Sequence, residues 1–191
     1  MIACICGWRG TKEDLKIYSC PDCNFTSGFF KTDEFSEEEI RSIIETKKHI
    51  REVRKLLSKM LDDLTTRAID HDLSKQTEPE LSFFTKYTPL LSGLVYGSEE
   101  YKKQLEELKP ALDHHYKNNS HHPEYHANGI KSMTLIDLCE MIADWLSATH
   151  RHTTGDIYKS LEINQKRFGY SDDLKQIFIN TSKYLKGTGN D

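Results

Sequence analysis

From Ser36 onward the sequence carries one helix signal after another and almost no strand signal, which confines most of the chain to an all-α fold. Ser36-Glu37-Glu38-Glu39 combines an N-cap serine, acids in the first turn and a glutamate at the third position, a capping box that opens a helix. Ile40, Ile43, Ile44, Ile50, Val53, Leu57, Met60, Leu61, Leu64 and Ala68 then recur at 3–4 spacing, which predicts one long helix running toward Asp70 with a core-facing stripe. Thr77-Glu78-Pro79-Glu80 repeats the capping-box pattern and predicts a second helix through about Tyr87, broken by Pro89 and Gly93. Ser98 caps a third, from Glu99 to about Tyr116, with Pro110 as a kink position. A loop from Lys117 to Lys131 leads to a fourth helix, Met133 to Thr149. Eleven of its seventeen residues are apolar, so it is expected to be buried on most sides, with Cys139 as a core thiol. Helical segments near Ile157–Arg167 and Ser171–Lys186 complete the pattern.

Residues 1–31 read differently. Four of the five cysteines fall there, at Cys4, Cys6, Cys20 and Cys23, in a short Gly-punctuated stretch expected to form a small β-ribbon. Cys20-Pro-Asp-Cys23 is a CxxC knuckle whose thiolates suit a tetrahedral zinc, while Cys4-Ile-Cys6 is one residue shorter than the usual partner half. A redox pair and unmetallated thiols are the competing readings. About thirty residues build little core of their own, so a structural zinc would supply the folding energy of this segment. The expected organisation is a zinc-ribbon-like segment at 1–31 and a helical domain at 32–191.

With 191 residues, a formal net charge of −4 and a pI near 6.1, the chain can bury one good core and lacks a surface suited to coating nucleic acid. No run of eighteen apolar residues occurs, and Met1–Trp8 lacks the basic and apolar regions of a secretory leader. A cytoplasmic protein without membrane association is the expectation.

The histidines carry the functional signal. Five of the nine lie in the thirteen residues His114–His126, at His114, His115, His121, His122 and His126. Imidazole is the commonest protein metal ligand, and carboxylates provide the hard oxygens that let two cations share a site. Upstream, His49 falls on one side of the long helix with Glu45 and Val53, beside the apolar stripe; the plain alternative is a helix-surface histidine. His71-Asp72 stands where that helix should end, with a polar helix terminus as the alternative. Only one of His114 and His115 can face a common site if both are helical. His126, His150 and His152 read as surface residues. In the fourth helix Asp137, Glu140 and Asp144 share a stripe about 60° wide. Such a stripe is either an acidic face in water or a set of buried carboxylates, which would need cations.

Taken in order, His49-x-x-x-Val53, Ala68-x-x-His71-Asp72-x-Ser74-Lys75 and Ile142-Ala143-Asp144-Trp145-Leu146-Ser147-Ala148 resemble the HD-domain metal-dependent phosphohydrolase superfamily, across roughly residues 40–150. His115 and His121-His122-Pro123-Glu124 are similar to the extra histidines of its bimetallic members. After His122, however, the glycine-rich tail of the cyclic-dinucleotide enzymes is replaced by Pro-Glu-Tyr-His. The resemblance implies an HD-like helical bundle. In it, His49, His71, Asp72 and Asp144 hold one divalent metal, and Asp72 bridges to a second held by His115, His121 and His122. The metal is one or two of Mn, Fe, Co, Ni, Zn or Mg. It further implies hydrolysis of a phosphate ester of a nucleotide, monoester or cyclic diester, by a metal-activated hydroxide centred on Asp72. Lys75 would meet a phosphate oxygen, and Asn118, Asn119 and Glu124 are loop candidates for substrate contact. A small-molecule phosphoester is the expected partner, and a homo-oligomer is compatible with the sequence. Rival readings are an HD-type di-iron oxygenase and a non-catalytic nucleotide-binding adaptor.

Overall fold

A computed structural model of the chain describes residues 1–4, 6, 8–15, 20, 29–33, 35–94, 98–150 and 155–187. Cys23 and His152 lie outside the described residues. The chain divides into two compact units, Met1–Asp62 and Asp63–Asp191. The strand-to-helix change expected near residue 31 is present, whereas the boundary between the units falls inside the first helix.

In the first unit, β1 (Ile2–Ala3) is the centre of a three-stranded antiparallel sheet, flanked by β2 (Arg9–Gly10) and β3 (Phe30–Lys31). Ile2 pairs with Gly10 on one side and Lys31 on the other. Cys4 and Cys20 are buried beside Trp8 and Phe29, whose rings meet edge to face at 6.5 Å. Helix α1 (Glu37–Asp70) starts as its sequence dictates: the Ser36 N–H donates to Glu39 at 2.7 Å, and the Glu39 N–H donates to the Ser36 hydroxyl at 3.3 Å. Arg9 anchors this start through a two-pronged ion pair with Glu37. Ile40 and Ile44 are buried, but the apolar stripe beyond them is not the covered face expected from its spacing: Ile50 and Leu57 are 43% and 54% exposed. A helix of 34 residues is about 50 Å long, and a sheet of two-residue strands is too small to cover it.

The second unit contains the end of α1 and five further helices: α2 (Glu80–Ser92), α3 (Glu99–Asn118), α4 (Leu135–Thr149), α5 (Ile157–Phe168) and α6 (Asp172–Leu185). The described residues are mostly helical, so the all-α reading of this region holds. Ser98 caps α3 as expected, and Ser171, read as the first residue of the last helical segment, is the N-cap of α6. Thr77 and Glu80 do not form the expected capping box. Pro79 is the N-cap residue of α2 without a side-chain bond, the Thr77 hydroxyl donates to the Ser74 carbonyl, and the Glu80 carboxylate turns into the protein. Pro89 does not end α2 either. It lies near the last turn, where loss of one N–H bond is tolerable, and the helix continues to Ser92. The 117–131 loop holds two 3-10 turns, Pro123–Tyr125 and Gly129–Ser132.

Two apolar clusters fix these helices. Met141, Ile142 and Leu146 of α4 pack with Ile157, Leu161, Tyr170 and Phe178, and Trp145 stacks on Phe168 at 6.0 Å. Tyr87, Leu108 and Ala111 join α2 to α3. The core face of α4 accounts for only part of its apolar residues. Leu135 is 69% exposed and Cys139 is exposed, so the thiol expected in the core is on the surface. No helix among the described residues is long and apolar enough to cross a membrane.

Candidate metal centre

The centre is organised by the break after α1. Asp72 has φ 58° and ψ 16°, the left-handed region, and is the only described non-glycine residue with positive φ. Asp tolerates this region better than most residues, but it still costs on the order of 1–2 kcal/mol for an L-residue. The turn, continued by a short 3-10 segment at Leu73–Gln76, points the side chains of His71 and Asp72 to a common place instead of letting them diverge along a helix.

Around Asp72 the sequence-distant histidines converge. His115 Nε2 is 3.1 Å and His121 Nε2 3.5 Å from Asp72 Oδ1. His122 completes the cluster, its ring centroid 4.1 Å from that of His121 and 4.8 Å from that of His115. One ligand atom from each of Asp72, His115, His121 and His122 lies within 4.8 Å of all the others. His115 and His121 are almost wholly buried. Asp72 Oδ1 and the Nε2 atoms of His115, His121 and His122 are buried without a hydrogen-bond partner. Four orphaned buried polar atoms aimed at one point would be costly without a ligand, since each forfeits its solvation. Three imidazoles and a carboxylate oxygen match the donor set of a divalent transition metal. The residues fit a cation.

The other oxygen of Asp72 faces a second set. His71 Nε2 is 3.5 Å from Asp72 Oδ2 and 3.7 Å from Asp144 Oδ1, and His71, Asp72 and Asp144 form a further group that could hold an ion. Lys75 pairs its ammonium with this same Oδ2 and lies over the Phe84 ring at 5.1 Å.

Carboxylates behind the imidazoles orient them. Glu140 Oε1 accepts from Nδ1 of His71 at 2.9 Å and from Nδ1 of His121 at 3.0 Å, leaving both Nε2 atoms turned toward Asp72. Glu80, 0% exposed, accepts from His115 Nδ1 through Oε2 and from His114 Nδ1 through Oε1, at 2.9 and 2.7 Å. Such partners fix the tautomer and raise ligand basicity. Glu80→Gln is therefore expected to weaken metal binding about 10–100-fold while helicity persists. A chelator-competition titration giving the wild-type affinity would refute this role.

Charge balance follows the same plan. Asp144 and Glu140 raise His71 to about 10 against the opposing effect of burial. Burial, reinforced by His121 and His115, pushes His122 down to about 3 and keeps its ring neutral, the form that binds metal. Burial would raise Asp72, but His115 and Lys75 outweigh it and hold the carboxyl below its ordinary value. Arg67 joins the acids: its Nη1 is 2.9 Å from Asp137 and 3.1 Å from Glu140, and it also bonds the Ser120 hydroxyl. Asp137 closes the capping box of α4 with Thr134. The acidic stripe of α4 is thus turned into the protein, where Arg67 and His71 pair with its carboxylates.

Several expected site residues lie elsewhere. His49 lies in the first unit, on α1, and belongs to none of the groups that could hold an ion. Between the adjacent histidines, His115 takes the site and His114 stands behind Glu80. Asn119 donates to Ser74 and to the His115 carbonyl, supporting a ligand. Asn118 bonds the His114 carbonyl, and Glu124 pairs with Arg167 at 2.6 Å. His126, half-buried, bonds the Ser120 carbonyl and braces the loop. In the first unit, Cys4, Cys6 and Cys20 form a separate group that could hold an ion, with Cys6 Sγ 3.6 Å from Cys20 Sγ.

A helical unit with a His- and carboxylate-lined centre able to take a cation is the class these features define. Residues 38–186 match the family described as "Family of unknown function (DUF5662)", and the chain belongs to it. No curated protein and no solved structure matches the chain.

Proposed function

We propose that the protein is a metal-dependent phosphohydrolase of the HD type that cleaves a phosphate ester of a nucleotide. The observation that carries this reading is Asp72, whose two oxygens face two different ligand sets, one of them with four orphaned donor atoms. Asp72, His115, His121 and His122 would hold one cation, and His71, Asp144 and the far oxygen of Asp72 a second. Cations bound there supply a hydroxide near neutral pH and neutralise phosphoryl oxygens. The histidine-rich set favours Mn, Fe, Co, Ni or Zn over Mg. In the net reaction a water oxygen bonds to phosphorus, the ester P–O bond breaks, and a water proton passes to the leaving oxygen. Lys75, paired with Asp72 Oδ2, would be the residue to meet a phosphoryl oxygen as a point charge. His49 has no role in this arrangement. The N-terminal cysteines, with Cys23, would bind a structural zinc as a small ribbon.

The test is metal content and turnover on the full chain. Elemental analysis of protein purified without chelator should find one tightly held zinc and up to two exchangeable metals. Phosphate release from nucleoside monophosphates and cyclic nucleotides should depend on added Mn, Co or Ni. His121→Ala and His122→Ala should each lower the exchangeable metal from two toward one and reduce turnover. Absence of metal overturns the reading. Full iron occupancy with oxygen consumption and no ester cleavage would indicate an oxygenase, and nucleotide bound intact at full metal occupancy an adaptor.

A further inference from the structure

A cleft of about 310 Å³ opens against the centre, and two of its lining residues, His71 and Asp144, belong to the second ligand group. Leu64, Ala68 and Ala143 give it an apolar wall of mostly small side chains. Its volume is at the low end for small-molecule sites, about 300–1,000 Å³. Its charges are unusual for a nucleotide site. Among the described residues Arg67 is the only lysine or arginine lining it, and two of its nitrogens are engaged: Nε by Asp63 at 2.9 Å, and Nη1 by Asp137 and Glu140. The remaining charged lining includes the carboxylates of Glu140 and Asp144 and, paired with both, the imidazole of His71.

We propose that this cleft takes the uncharged organic part of a phosphomonoester or phosphodiester and rejects nucleoside di- and triphosphates. The inference rests on the phosphohydrolase reading above and narrows its substrate class. Metals at Asp72 can neutralise one phosphoryl group. A second and third phosphate would then lie along Glu140 and Asp144 with no uncommitted cation among the described lining residues, and like charges at close range are repelled. An uncharged ring system meets no such opposition. It would cover Leu64, Ala68 and Ala143 and gain from removing their surface from water. Ala143 is exposed on α4, lines the cleft and contributes no ligand atom to the groups described.

The experiment uses the metal-loaded full chain with 1-naphthyl phosphate, a nucleoside 5′-monophosphate, the corresponding 5′-triphosphate and inorganic phosphate. Turnover and direct binding are both measured, the latter by naphthyl fluorescence and by displacement. The mono-esters should bind at least about tenfold more tightly than the triphosphate. Ala143→Leu, a change to a good helix former, should weaken naphthyl phosphate about tenfold or more and leave metal content and inhibition by inorganic phosphate unchanged. If wild type hydrolyses no ester, the phosphohydrolase reading falls, and the binding measurements still decide the cleft. Triphosphate binding within threefold of the monophosphate, or Ala143→Leu binding naphthyl phosphate like wild type, overturns the proposal.

Discussion

Asp72→Ala is expected to empty both ligand groups of exchangeable metal and to lower any metal-dependent turnover by more than about 100-fold. The magnitude follows from position. Changing a residue that only orients a ligand costs about 10–100-fold in metal affinity or activity. Asp72 is itself a candidate ligand, and it is common to both groups through different oxygens. Its backbone complicates the alanine variant, because alanine at φ 58° is strained by on the order of 1–2 kcal/mol. Asp72→Gly separates the effects: glycine adopts this conformation freely, so the variant should fold at least as well as Asp72→Ala and still bind no exchangeable metal. Asp72→Asn keeps side-chain shape and tolerance of the left-handed turn while removing the charge, and should retain at most weak binding. Metal content by elemental analysis, with helicity by circular dichroism, is the measurement. Wild-type stoichiometry and affinity in all three variants would show that Asp72 is not a ligand.

What the sequence made legible was local. The caps at Ser36 and Ser98 depend on a side chain and a backbone N–H three residues away, and each forms as written. His71, Asp72, His115, His121, His122 and Asp144 could be picked out by residue type and order, and the fold brings those six together. Glu80 was not legible as a site residue. Its sequence context is that of a helix cap, and its partners His114 and His115 are more than thirty residues away, so only tertiary packing could choose between the two uses. Arg67 gave no signal either, since one arginine near a helix end is ordinarily a solvated charge. The periodicity of α1 is likewise indifferent to length: spacing alone cannot say how much of a 34-residue stripe finds a covering surface. His49 shows the same limit, because a helical face is local and convergence on a site is not.

Arg67→Met is expected to be the most destabilising single change in the helical unit outside its apolar core. The guanidinium bonds Asp137 and Glu140, both largely buried, and its own side chain is 24% exposed. Removing one partner of a buried ion pair costs about 3–5 kcal/mol because the other charge stays buried and unpaired. Partial exposure of Arg67, together with the remaining partners of Asp137 (Thr134, Ser120) and Glu140 (His71, His121), reduces the expectation to about 2–4 kcal/mol. For a chain of this size that is on the order of 5–15 °C in Tm. The comparison belongs in chelator, since bound metal would stabilise the folded state by mass action. Two further readouts distinguish lost charge from lost packing. Arg67→Lys keeps a charge but not the fork and should fall between wild type and methionine. Acid also discriminates. Asp137 and Glu140 are held below their ordinary values, so their contribution is complete above the unfolded carboxyl range near 4 and is lost as pH falls through the lowered folded values. Without Arg67 the folded values rise toward the unfolded ones, less stability is lost in acid, and the gap between Arg67→Met and wild type should narrow below about pH 4. A gap independent of pH would assign the effect of Arg67 to packing alone, and a variant within about 0.5 kcal/mol of wild type at neutral pH would show that the two carboxylates do not need it.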